Sequence, residues 1–228
     1  MFNIIEKRRW YFLTSGILII LSVAALTVST IQFGQPLQLS VDLADAEATK
    51  AAGLAALVAV VIVPVFIWWS FRRLPGAFRY GVCTVAMLAH NLLITCGFYA
   101  LMGILAGWEV DALFSIAILA VIGLSAQGLI GVFDRTRENI SLRRTESHEK
   151  VINRSILEAI NGSLATRLCA VFVMIAIILL GGTTIKPFVA TILVGTVSET
   201  YSSIFVAAPL LAAWQKASAR RAATRATV

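Results

Sequence analysis

ALFSIAILAVIGLSAQGLIGVF, residues 112–133, runs without a charged side chain and is followed at once by DRTREN, residues 134–139. A helix needs about 20 mostly apolar residues to cross the hydrocarbon of a bilayer. This stretch is long enough, and the charged block marks where it leaves the lipid. Five further stretches read the same way: from about Tyr11 to Ile31, Ala52 to Phe71, Phe78 to Leu105, Ile160 to Leu180 and Phe188 to Trp214. Backbone polar groups in lipid must be paired within their own segment, so each stretch is expected to be a helix. The fold class expected is an all-α membrane protein with six transmembrane helices.

Composition supports this. Of 228 residues, 59% are apolar and 14% charged, with a mean hydropathy of +0.87. A soluble domain carries about 25% charged residues, and a core of this size could not hide so much apolar surface from water, so lipid must cover it. The formal net charge is +7, but the basic residues sit in short clusters between apolar runs, which points to a lipid bilayer and not to nucleic acid. With a cytoplasmic N-terminus, Lys7, Arg8, Arg9, Arg72, Arg73, Arg79, Arg135, Arg137, Arg143, Arg144, Lys150, Arg154, Lys216, Arg220, Arg221 and Arg225 all lie inside. Only Lys50 and Lys186 lie outside, and Arg167 lies within a helix. That asymmetry places both ends in the cytoplasm of a multi-pass protein of the cytoplasmic (inner) membrane.

Four regions follow. Residues 1–33 read as an uncleaved signal anchor, because the apolar run is too long for a signal peptide and no small-residue cleavage site closes it. Residues 34–51 form a short extracytoplasmic loop, 52–214 a five-helix membrane domain and 215–228 a basic tail. The inner segment from Asp134 to Ser155 is charge-rich and expected to be partly helical along the membrane surface. Trp10, Tyr11, Trp68, Trp69, Tyr80, Trp108 and Trp214 fall near span ends, as interface anchors do. Cys83, Cys96 and Cys169 lie in apolar runs and read as small buried hydrophobes. No enzyme motif, metal-ligand cluster or cofactor fingerprint is present, so the chain is not expected to be an enzyme.

Polar groups in hydrocarbon are costly and usually face protein or water. Five stand out: His90 and Asn91 in the third stretch, Gln127 in the fourth, Arg167 in the fifth and Glu199 in the sixth. Residue counting brings His90 and Glu199 to similar depth and puts Arg167 about one to two turns nearer the cytoplasm, within reach of its long side chain, predicting a polar cluster among helices three to six with Glu199 as its anion. Such a cluster can relay protons or ions, or it can fix packing through interhelical hydrogen bonds. Small residues recur at Gly103 and Gly107 and at Gly123, Ser125, Gly128 and Gly131, which suggests close helix packing and a central fourth helix.

Two longer stretches carry a family resemblance: IGLSAQGLIGVFDRTREN at 122–139 and VGTVSETYSSIFVAAPLL at 194–211. Both resemble the protein-export subunit SecF, and VINRSILEAINGSLATR at 151–167, LAHNLLIT at 88–95 and the Gly181-Gly182 pair are similar to it as well. The resemblance implies half of a bundle like that of resistance-nodulation-division transporters, paired with a SecD-like subunit. It also implies that the pair assists the Sec channel in moving exported polypeptides, using the proton gradient. Phe133, Asp134, Arg135, Arg137, Glu138 and Asn139 then shape the inner corner where helix four leaves the membrane. Tyr201, Ser202, Ser203 and Pro209 shape helix six, and none of these is expected to be catalytic. The sequence also departs from that pattern. The folded extracytoplasmic domain and its glycine-rich motif have no counterpart between helices one and two. Gly128 stands where the family carries a membrane aspartate, Gly162 where it carries an arginine, and Asn91 where it carries an aspartate. Glu199 and Arg167 are a new acid and a new base. Two readings stay open: a relay relocated to Glu199 and Arg167, or a non-conducting structural subunit of the translocase. A stand-alone ion or small-molecule transporter is the reading of a different class.

Overall fold

The computed structural model describes residues 5, 7–38, 46–72, 77–142, 148–214 and 217. Most of the basic tail, residues 215–228, and part of the loop over 34–51 lie outside the described residues. So do Arg73, Arg143 and Arg144.

Six helices follow one another: α1 (Arg8–Phe33), α2 (Ala46–Ser70), α3 (Ala77–Ala106), α4 (Ala112–Leu142), α5 (His148–Leu180) and α6 (Ile185–Ser202). The last runs on through a π-helical turn, Ser203–Ala207, to Trp214. Five of these helices are long and apolar enough to span a membrane on their own. The sixth span, α5, joins an arm at Lys150–Ile160 to a limb at Ala165–Leu180, inclined by 47°. The chain is thus an all-α membrane protein of six helices. Helices α4 and α5 run past the expected lipid boundary, so the inner segment is largely helical where it is described. The π turn precedes Pro209, which has no N–H to close a helical bond onto the carbonyl four residues earlier.

Helices α3, α4 and α6 form the centre, with α1 against α3, α2 against α3 and α4, and α5 against α4 and α6. One end of the core is aromatic. Phe71 and Tyr80 stack at 5.6 Å, and Phe133 meets both edge-on at 5.8 and 4.9 Å. Tyr80 is fully buried there and so is a core residue, not the interface anchor its position suggested, whereas Trp10, Trp68 and Trp69 are exposed as anchors are. Of the cysteines, Cys83 is buried but Cys169 is exposed on the outside of the bundle.

The glycines divide by contact. Gly107 (φ +66°) ends α3, and its N–H bonds the Gly103 carbonyl at 3.1 Å, so that pair makes a helix terminus and not a helix crossing. Gly97 is the close approach of α3 to α1: a Cβ there would lie 2.4 Å from the Ser22 Cβ. Gly195 plays the same part between α6 and Val121 of α4. Gly123 and Gly131 face open space. Gly97→Val is therefore expected to destabilise the solubilised protein by about 1–3 kcal/mol through overpacking. Gly123→Val is expected to change it far less, and paired thermal unfolding curves check the contrast.

Candidate functional site

The five polar residues expected to cluster do lie in the bundle interior or on its cavity, but four of them fall in two separate groups and Gln127 in neither. The first centres on Asn91 in α3, which is fully buried. Its Nδ2 donates to Ser125 Oγ of α4 at 2.9 Å, and its Oδ1 accepts from Ser198 and Ser202 of α6 at 2.9 and 2.7 Å. His90 Nδ1 lies 3.2 Å from the same oxygen, while its Nε2 meets Ser15 Oγ of α1 at 2.5 Å. One amide thus ties α3 to α4 and α6, and its neighbour ties α3 to α1. The cluster was expected among helices three to six, yet α1 joins it. The signal was present: Ser15, Ser22 and Ser29 recur every seventh residue and are the buried residues of α1.

The second group is an ion pair. Arg167 Nη1 of α5 donates to Glu199 Oε2 of α6 and, at 2.9 Å, to Thr200 Oγ1. Glu199 is only 2% exposed. Its other oxygen, Oε1, accepts no hydrogen bond among the described residues. Arg167 reaches the acid from a limb that is otherwise uncharged, as a long guanidinium side chain can. His90 does not contact Glu199. The two groups meet only along α6, where Ser198 and Ser202 flank Glu199 and Ser202 Oγ donates to the Glu199 carbonyl at 3.2 Å.

Gly128 completes the second group by having no side chain. A Cβ on it would stand 1.5 Å from Glu199 Oε1 and 2.8 Å from Arg167 Nη2. Beside this pair lies a cavity of about 910 Å³ between α4, α5 and α6. Gln127, Gly128, Arg167, Thr196, Glu199 and Thr200 line it in the bundle, and Arg135 and Glu158 line it at the α4–α5 corner. Gln127 faces this cavity and joins neither network.

The corner itself is knitted by charge. Asn139 Nδ2 donates to Ser155 Oγ at 3.1 Å and to Glu158 Oε2 at 2.7 Å, and Arg154 Nε holds Glu158 Oε1 at 2.9 Å. Arg135 pairs with Glu138 at 2.9 Å, Arg137 with Asp134 at 3.2 Å, and the Arg137 guanidinium lies over the Phe71 ring. On α6, Tyr201 donates to the Tyr11 carbonyl at 2.9 Å and meets Thr14, which anchors α1. Ser203 bonds the Thr200 carbonyl at 3.3 Å, and Pro209 is buried just beyond the π turn.

A six-helix bundle with a buried acid paired to a half-buried base beside a cavity defines a class: polytopic membrane proteins with an ionisable centre within the span. The family described as "Protein export membrane protein SecD/SecF, C-terminal" matches residues 40–217, and the chain belongs to that family. The protein translocase subunit SecF of Anaerolinea thermophila is 43% identical over 170 residues, which cover 74% of this chain and 55% of that protein. The chain thus spans about half the length of that relative. A solved SecDF in a super-membrane-facing form is 31% identical, with a TM-score of 0.65 over 75% of this chain and 22% of that one. The fold also matches the crystal structure of SecDF from Thermus thermophilus, with a TM-score of 0.73 at 20% identity over 94% of this chain and 39% of that one.

Two outcomes follow from this geometry. Asn91→Leu removes the acceptor of the Ser198 and Ser202 hydroxyls, which are left with their own helix carbonyls, and the donor to Ser125, at a cost of about 1–2 kcal/mol, read from thermal unfolding. At the corner, Asn139 Nδ2 and Arg154 Nε bond the two oxygens of the Glu158 carboxylate. Asn139→Ala removes one of these bonds and its partner at Ser155, and should lower stability by about 1–3 kcal/mol, read from thermal unfolding of the purified chain.

Proposed function

We propose that this chain is an accessory subunit of the Sec protein translocase. It acts with a SecD-like partner and assists gradient-driven movement of exported polypeptides through the Sec channel. In this reading both ends face the cytoplasm of the cytoplasmic membrane, residues 1–33 serve as a signal anchor, and the α4–α5 corner is cytoplasmic. The family match across the membrane bundle supports the export role. The solved relative of similar sequence is a SecDF chain of which this one covers 22%, which supports a partner bundle of the SecD kind.

The observation that carries the mechanistic part is the ion pair of buried Glu199 with half-buried Arg167, two residues that line the cavity, with Glu199 Oε1 packed toward Gly128 and without a hydrogen-bond partner among the described residues. A carboxylate that gives one oxygen to arginine and keeps the other free can take and release a proton. The cavity, which reaches Arg135 and Glu158, gives water a route to it from the cytoplasmic corner. Protonation would weaken the hold on Arg167 and free α5 to move against α6, so proton passage and helix motion become one event. Asn91 and His90, bonded to α1, α4 and α6, act as the fixed frame against which that motion works. Among the readings open from sequence, this favours a relay relocated to Glu199 and Arg167 over a non-conducting subunit.

The test is gradient-stimulated export in membranes that carry the SecD partner. Glu199→Gln keeps the shape and removes the charge, and it should abolish the stimulation by the gradient while leaving co-purification with SecD intact. Arg167→Met leaves an unpaired buried acid and should cost about 3–5 kcal/mol of stability as well. Export assistance that persists in Glu199→Gln, or after the gradient is collapsed, would rule the relay out.

A further inference from the structure

Gly128 and Glu199 belong to different helices and contend for one volume. A Cβ on residue 128 would come 1.5 Å from Glu199 Oε1, 2.5 Å from Glu199 Cδ and 2.8 Å from Arg167 Nη2. The first of these is a covalent-bond length, so no residue with a Cβ can stand at 128 while the Glu199 carboxylate stays where it is. The colliding atoms are the far end of a flexible side chain, so the conflict excludes co-occupancy and not the backbone of α4. The same distances hold in reverse. An aspartate at 128 would carry its carboxyl outward from that Cβ into the space now filled by the glutamate carboxylate, beside the same guanidinium.

The cation fits either source. Arg167 comes from α5, packed against both α4 and α6. Its Nη1 holds the acid delivered by α6, and its Nη2 is the atom nearest a side chain from α4. Arg167 Nη1 also donates to Thr200 Oγ1 at 2.9 Å, a contact that does not depend on which helix supplies the carboxylate.

We infer that residues 128 and 199 form a single acid position with two mutually exclusive carriers, so that the carboxylate facing Arg167 can be supplied by α6, as here, or by α4. This deepens the relay reading and rests on it for its activity readout. Its folding readout is independent.

The experiment compares the parent chain with Glu199→Gly, Gly128→Asp, the Glu199→Gly/Gly128→Asp pair and the Glu199→Gly/Gly128→Asn pair. Each is co-expressed with its SecD partner, and each is read by gradient-stimulated export and by thermal unfolding of the purified chain. Gly128→Asp alone puts two carboxylates beside one guanidinium, and Glu199→Gly alone leaves a half-buried arginine without its anion. Both should unfold several degrees lower and lose at least about tenfold in stimulated export. The Glu199→Gly/Gly128→Asp pair should recover the unfolding temperature of the parent and return export to within about twofold of it. The asparagine pair fills the same space without charge and should recover neither fully. If the aspartate pair unfolds no higher than Glu199→Gly, or no higher than the asparagine pair, the shared position is wrong. If Glu199→Gly exports like the parent, the relay reading fails, and the unfolding temperatures alone then decide for or against the shared position.

Discussion

A carboxylate stays ionised inside hydrocarbon only beside its cation, and the side of this bundle built from α4, α5 and α6 is arranged around that constraint. Glu199 is all but sealed from solvent, and one of its oxygens is committed to Arg167. Satisfying the pair draws α5 toward α6 at a level where α5 is otherwise uncharged. It also requires α4 to offer bare backbone at Gly128, because the carboxylate needs the room. Three helices are thereby fixed in rotation by one interaction. Removing Arg167 leaves Glu199 buried and unpaired, which costs more than the intact pair gains over an apolar replacement.

The Asn91 network in the rest of the polar interior does different work. Asn91 spreads its amide over α4 and α6 through serine hydroxyls, bonds that are short-ranged and insensitive to proton supply. In lipid such bonds add modest energy and a definite geometry. The bundle therefore holds a rigid amide hub next to a titratable pair, joined by the segment of α6 that runs from Ser198 to Ser202. The π turn follows directly, so the two ends of α6 are out of simple helical register with one another.

Much of the fold was legible because hydropathy reports directly on lipid exposure. The apolar run at 112–133 and its five companions each became a helix, and the charge block at 134–139 marks the corner where α4 meets α5. Depth counting also brought Arg167 to Glu199, because helical rise is regular and arginine is long. What failed to show depended on rotation about helix axes, which nearly uniform apolar sequence encodes poorly. His90 turned toward α1 and not toward Glu199, Gln127 faced the cavity, and Tyr80 went into the core. Gly128 read as a lost acid in sequence. Only the tertiary packing reveals that its emptiness accommodates an acid from another helix.

The first helix touches the bundle in a way opposite to that of a helix in water. Its greasy surface faces away, and the three residues it buries are serines. Hydrocarbon offers those hydroxyls no competing partner, so weak bonds and close backbone approach suffice to hold it in place. Water would compete for every one of them. Adhesion of this helix is thus conditional on its surroundings staying dry, and a thinning or flooding of the adjacent lipid would loosen it before any apolar seam in the core was disturbed.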